Sequence, residues 1–309
     1  MVSNRDDKKL ERTNTGVYIH DRTHFIIPTE IDEYADEGYD HAVVCHGLRN
    51  KWRYHLIDNT LAGVTILDHP TVEVLNVGID GEVVVGTEES TQRLEHVDQS
   101  DRGPNHSLIL RCVRQIGNHA YVAGMARMVY KRLRDGEWRP WDNGMYVPRE
   151  EFKYVVGLND IHGVDENSIY AVGFMGEIWH YDGQRWIEQH TPTNLTLTGV
   201  YCVSMDEVYA SGMVGMLLRG RNGVWEVIEQ ECTKQDFWGI TYFQEKIFLA
   251  GTGGVYVLTP VGLQPVDMQL GRRVSTGYLD AADGILLSVG EKDIVYTVNG
   301  VDWHEIEGP

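Results

Sequence analysis

Cysteine is scarce in this chain of 309 residues: Cys45, Cys112, Cys202 and Cys232 are scattered, with no CxxC pair. That spacing excludes a disulfide scaffold and leaves Cys112 and Cys202, both in apolar strand-like runs, as buried reduced thiols. Long apolar runs are absent too. Nothing approaches the roughly 20 residues of a membrane helix, and the opening MVSNRDDKKLERTN lacks the apolar core of a secretory signal. A soluble, cytoplasmic protein without a membrane partner is expected. Positive charge is also short, with 27 Lys and Arg against 46 Asp and Glu for a net charge of -19. Nucleic-acid binding requires clustered cations on phosphates, so nucleic acid is not an expected partner, whereas an acidic field steers a basic protein into contact. No GxSxG elbow, P-loop or HExxH sequence occurs. The thirteen histidines form no ligand spacing: His20 and His24 lack the shared face a helix would give them, and Cys45 and His46 point to opposite sides of a strand. No catalytic residue, metal or cofactor is therefore expected.

Regular repetition is present instead. Gly47, Gly86, Gly124, Gly173, Gly212, Gly251 and Gly290 recur at intervals of 39, 38, 49, 39, 39 and 39 residues. A period near 40 belongs to stacked supersecondary units, because a four-stranded sheet cannot bury both faces without neighbours. The expectation is one all-β domain over residues 1–309, a β-propeller of four-stranded antiparallel blades. Seven blades are expected, with six as the alternative.

Within a unit the strands read as 161–164, 169–172, 177–181 and 185–190, and the next three copies follow. Runs such as VYAS and IFLA suit central strands covered on both faces. Between third and fourth strands stand Asp135-Gly136, Asp182-Gly183, Asn222-Gly223 and Asn299-Gly300, read as type I′ hairpins. Trp138, Trp186, Trp225 and Trp303 follow them, and four indoles at one repeat position are expected to pack between blades. Each repeated glycine opens the turn from second to third strand, as in Gly173-Phe-Met-Gly176. Without a following helix such a GxxG is not a phosphate loop.

Two places break the rhythm. The 49-residue interval implies an inserted rim loop at 142–156, DNGMYVPREEFKYVV, beside the glycine turns. At the N-terminus, residues 1–14 read as a loosely attached tail, 31–40 is too acidic for an inner strand, and 16–28 reads as a strand or hairpin closing the ring beside the last blade.

From Val155 onward the repeats resemble the sialidase-like or BNR (Asp-box-like) propeller superfamily, which includes photosystem-assembly-factor-like propellers. The resemblance is carried by xNGxDW at 298–303, YDGQRW at 181–186 and the central hairpin IYAVGFMGEIWHY. It departs from S-x-D-x-G-x-T-W in being one residue shorter, with Asn299 for Asp. The resemblance implies fold more than activity, because propellers host unrelated functions.

A sialidase-type enzyme needs converging arginines, a Tyr-Glu pair and an acid. Arg49, Arg127, Arg272, Arg273, Tyr146, Glu150 and Glu151 supply the residue types, without a spacing that specifies a pocket. The rim offers a better candidate. Met125, Arg127, Tyr146, Phe174, Met175, Met213, Val214, Phe237 and Trp238 are expected on one rim as a partner-binding patch, with methionines adaptable and aromatics as anchors. The functional expectation is a non-catalytic protein-binding propeller of inhibitor or immunity type that neutralises a basic effector or toxin domain. The alternatives are a glycosidase or lyase with a pocket at the channel mouth, and an assembly scaffold or chaperone.

Overall fold

Seven antiparallel sheets, the first of five strands and the other six of four, follow one another along the chain, at residues 12–57, 61–96, 110–140, 158–188, 197–227, 237–265 and 278–305, here blades 1 to 7. The computed structural model describes residues 11–48, 51–68, 70–87, 92–105, 107–151 and 153–309. Expectations for residues 1–10, for Arg49 and for Phe152 in the inserted loop lie outside them. The seven-bladed propeller is thus established over the six-bladed alternative. Among the described residues no helix is long and apolar enough to cross a membrane.

Each blade is built from consecutive strands, so the ring closes without exchange of a strand between its ends. In blade 1 two short strands share the innermost edge: Arg12–Asn14 and Tyr18–Asp21 both pair with His24–Ile31. Residues 11–14 therefore belong to the ring and not to a loose tail. The expected hairpin at 16–28 does lie beside the last blade. Asn14 donates its backbone N–H to Glu291 at 2.9 Å and its side-chain amide to the Gly290 carbonyl at 2.8 Å. Ile19 donates its backbone N–H to Asp280 Oδ2 at 2.7 Å. Ile19, Ile27, Ile285, Leu287, Val289 and Ile294 fill the seam between them. The acidic stretch after Ile31 forms a short helix, Asp32–Asp36, in place of a tight turn.

The four hairpin tryptophans are buried as expected. Trp138 packs with Leu75, Val83 and Val85 of blade 2, Trp186 with Ile116 and Tyr121 of blade 3, Trp225 with Tyr170 of blade 4 and Trp303 with Phe243 of blade 6. Each indole covers the face of the preceding sheet, and that burial joins blade to blade. The type I′ assignment holds for Asn222-Gly223, where both residues have positive φ. In the other three hairpins only the glycine does. Asp182 Oδ1 accepts the Gln184 and Arg185 amides, and Asn299 Oδ1 accepts those of Val301 and Asp302. A side-chain-stabilised turn takes the place of a second left-handed residue.

Ordering by pairing also moves two members of the glycine series. Gly47 and Gly86 lie in third strands, whereas Gly78 occupies in blade 2 the position of Gly124, Gly173, Gly212 and Gly251. A second long connection, 97–109, was hidden by that misplacement.

Two seams near the start of the ring are ionisable. Between blades 2 and 3 the buried Arg132 grips Glu95 at 2.7 and 2.9 Å and Glu73 at 3.0 Å. Burial acts to raise the Glu95 pKa, but Arg132 and Arg93 outweigh it and hold the group near about 2. On the face of blade 1 that packs on blade 2, His24 Nε2 lies 3.2 Å from His46 Nδ1. Burial, together with His24, His55 and Arg53, pushes His46 down to about 4. For Glu95 the folded pKa is the lower one, so its contribution is present above about pH 4.5 and lost as pH falls toward 2. For His46 the unfolded chain binds the proton more readily, so stability falls as pH drops from about 6.5 through 4. Urea midpoints measured from pH 7 to 3 are expected to decline across both windows. Glu95→Gln lowers the midpoint at pH 7 and removes on the order of 3 kcal/mol of the lower decline; His46→Gln flattens the upper one. Unchanged profiles in both variants would contradict these assignments.

Candidate functional site

The turns from second to third strand and the connections between blades meet on one rim. At each repeat glycine the chain is extended, with φ of -165° at Gly173 and -168° at Gly212, so left-handed geometry is not what selects glycine there. Close approach is. A Cβ at Gly173 would sit 1.9 Å from the Gly157 carbonyl, and one at Gly212 2.3 Å from that of Thr196. Those carbonyls accept the next amides of the turns, from Phe174 at 3.2 Å and Met213 at 3.0 Å. The same bond joins Ile79 to Thr60 and Met125 to Ile109, so the turns of blades 2 to 5 are pinned to the preceding inter-blade connection.

Pinning shifts the left-handed residue one step along. Met175 has φ 57° and Val214 φ 58°, conformations that L residues adopt at a cost and that are rare for a β-branched side chain. The Val214 amide is held by Asp236 Oδ1 at 2.7 Å. Both side chains are 52% exposed, and Trp238 is 43% exposed. Tyr154 and Val155, at the end of the inserted loop, are exposed as well. These apolar groups follow one another across blades 4, 5 and 6 through the 157, 174–175, 196, 213–214 and 236–238 contacts. They form a crescent of exposed apolar side chains, the kind of feature that contact surfaces share.

The rest of the expected patch divides differently. Phe237 is 0% exposed and packs in the core with Tyr209, Leu217 and Ile240, which removes it from any contact surface. Phe237 and Trp238 part company because the strand bulges between Phe237 and Gly239. Arg127 is committed within the ring, giving Glu177 of the next blade two hydrogen bonds of 2.6 and 2.7 Å and lying over Trp179 at 5.2 Å. That pairing raises its pKa. Met125 and Tyr146 are partly buried against the blade 2–3 core. Phe174 and Met213 are half-buried.

The inserted loop is tied down. Arg102, from the other long connection, pairs with the buried Asp142 and stacks on Tyr146 at 4.3 Å. Among the described residues, the arginines and acids considered for a sialidase-type site are not brought together in one pocket. Arg127 is held by Glu177, Arg272 by Asp293 and Glu305, and Glu150 and Glu151 lie on an exposed 3-10 turn.

Sequence reasoning named a pocket at the channel mouth only as an alternative and missed the residues that form it. The bulge that turns Trp238 outward recurs at Ala62, Arg111, Asn159 and Thr198. Each follows a large apolar residue, Leu61, Leu110, Leu158, Leu197 or Phe237, that faces the core or lies partly buried against it. A bulge re-aims one side chain, and here five sit at one level around the channel. Below them lies a cavity of about 180 Å³ lined by the inner strands of all seven blades. Inside it Arg114 pairs with Asp160, Nε to Oδ1 at 3.2 Å. Aligning the five strand starts by their Leu/Phe-x-Gly/Cys/Asp pattern would have revealed this ring.

The fold is a seven-bladed propeller whose second-to-third-strand turns expose Met175 and Val214 on one rim. The chain is 35% identical over 283 residues to the immune protein Tsi7 of Pseudomonas aeruginosa, covering 89% of this chain and 91% of that protein, and it belongs to the same family. No family model matches it. Among solved structures, a catalytically inactive virginiamycin B lyase from Staphylococcus aureus with quinupristin superimposes with TM-score 0.73 at 12% identity over 94% of this chain and 95% of that one. YCF48 bound to D1 peptide gives 0.55 at 16% identity over 81% and 82%. Both likenesses show the propeller fold.

Strain retained under an exposed apolar side chain predicts a trade-off at Val214. Val214→Gly relieves the left-handed penalty of about 1–2 kcal/mol against a glycine entropy cost of about 0.5–1 kcal/mol. The variant is expected to melt slightly higher and to bind a partner less well. Phe237→Ala is expected to lose about 3–5 kcal/mol of stability, as a core residue does. Calorimetric melting of both variants checks these signs.

Proposed function

We propose that this protein is an immunity protein that neutralises a toxin by binding it through the crescent of blades 4 to 6, in the cytoplasm. The observation that carries this reading is the match to an immune protein over nine-tenths of both chains. The exposed Met175, Val214 and Trp238, set on pinned turns, supply the surface. Aromatic and Met side chains on a rigid frame bind with little ordering entropy. The net charge of -19 supports a basic partner, whose approach it would accelerate at low salt. Kinship with Asp-box-like propellers stays part of this proposal: the Asn299 turn and Trp303 occupy the places such a repeat uses.

Co-expression with the toxin, followed by calorimetric titration of the purified pair, tests the reading. The wild type is expected to restore growth and to bind more slowly as salt rises. Met175→Asp and Trp238→Ala are each expected to weaken binding by tenfold or more, in line with anchor residues worth about 2 kcal/mol. Unaltered affinity in the double variant would sink the crescent as the contact surface.

A further inference from the structure

The ring of bulge residues differs from the crescent in chemistry. Its apolar neighbours are fixed by the core, so the repeat dictates Leu or Phe at one position and leaves the next free. That next position is Ala62, Arg111, Asn159, Thr198 or Trp238, four of them lining the channel mouth with chemically distinct groups and one with a small methyl. We infer that the mouth receives a carboxylate projecting from the bound toxin, with Arg111 as its counter-ion. This deepens the toxin-binding reading and rests on it.

Arg111 is exposed and, among the described residues, has no carboxylate within ion-pair distance. Its one close aromatic neighbour is Phe174, whose ring lies 5.6 Å away. On the same face Arg102, Arg127 and Arg272 are each held by an acid; Arg149 and Arg273 have none among the described residues but lie on inter-blade connections, away from the strands that line the mouth. In a chain with 46 acidic residues, an arginine kept free at the centre of a contact face is a cation offered outward. The acids deeper in the channel do not oppose it. Asp160 is neutralised by Arg114, and Asp280 is half-buried, accepts the Ile19 and Ala281 amides, and has its pKa raised by burial despite Arg114. Asn159 gives its amide to the Leu197 carbonyl at 2.7 Å and leaves its buried Oδ1 without a donor. That oxygen suits an N–H of the incoming segment. Trp238 and Tyr278 form the walls. At about 180 Å³ the cavity holds one side chain, or about six waters at roughly 30 Å³ each, and falls short of the roughly 300 Å³ of a small-molecule pocket.

The test measures dissociation constants for the purified toxin with Arg111→Ala, Arg111→Lys and Arg111→Glu, beside Met175→Asp, at 50 and 300 mM salt. Each variant is first matched to the wild type in melting temperature, and Arg111→Lys keeps the test valid if the alanine form is unstable. The expected result is a ten- to hundredfold loss for Arg111→Ala, a larger one for Arg111→Glu, partial retention for Arg111→Lys and a weaker salt response once the charge is gone. Arg111→Ala within twofold of wild type, while Met175→Asp loses binding, overturns the carboxylate at the mouth and leaves the crescent standing. Loss at Arg111 with full affinity in Met175→Asp sustains the mouth and overturns the crescent. Full affinity in both overturns both.

Discussion

The ring depends on joining two chain ends that no covalent bond or shared strand connects. Asn14 and Ile19 of blade 1 reach Gly290, Glu291 and Asp280 of blade 7 by hydrogen bonds, and an aliphatic cluster closes over them. Each blade can bury both faces only when its neighbours are in place. Opening this one seam exposes the apolar faces of two blades at once. The rim inherits its precision from that closure, because turns pinned to the preceding connection keep their positions only while the blades stay stacked.

Within that frame one device builds the ring and, in the proposed reading, the surface that binds the partner. A backbone carbonyl pressed against Gly124, Gly173 and Gly212 selects glycine by close approach and fixes the turn beyond it. Fixing the turn forces a left-handed residue at its tip. In blades 4 and 5 that residue is Met175 or Val214, although glycine would sit there at less cost. Strain under an exposed apolar side chain is hard to account for by folding alone, and it agrees with membership in a family of immune proteins.

Much of the fold was legible in the sequence because hairpin, tryptophan and glycine recur together in blades 3, 4, 5 and 7. Legibility failed where the turn was replaced. Blade 1 carries a short helix after Ile31, and blade 2 has Gly78 where the count pointed to Gly86, so spacing alone misplaced two of seven glycines. Of the candidate site, Met175, Val214 and Trp238 were readable as apolar residues in or beside turns. Phe237 was not, because the bulge that separates it from Trp238 breaks the alternation of a strand. The pairing of Arg127 with Glu177 joins residues 50 apart in the chain, and no local pattern encodes it. Arg111 was hidden in an ordinary strand sequence for the reason that hid Phe237.

The central claim is that one face of the ring, the face of the pinned turns, contacts the toxin. Amide hydrogen exchange of the protein alone and in its complex reads this directly. The account predicts slowed exchange at 157–159, 174–177, 196–198, 213–216 and 236–239, with the opposite rim unchanged. Protection confined to the turns at 165–167, 205–206, 222–223 and 298–301 would contradict it.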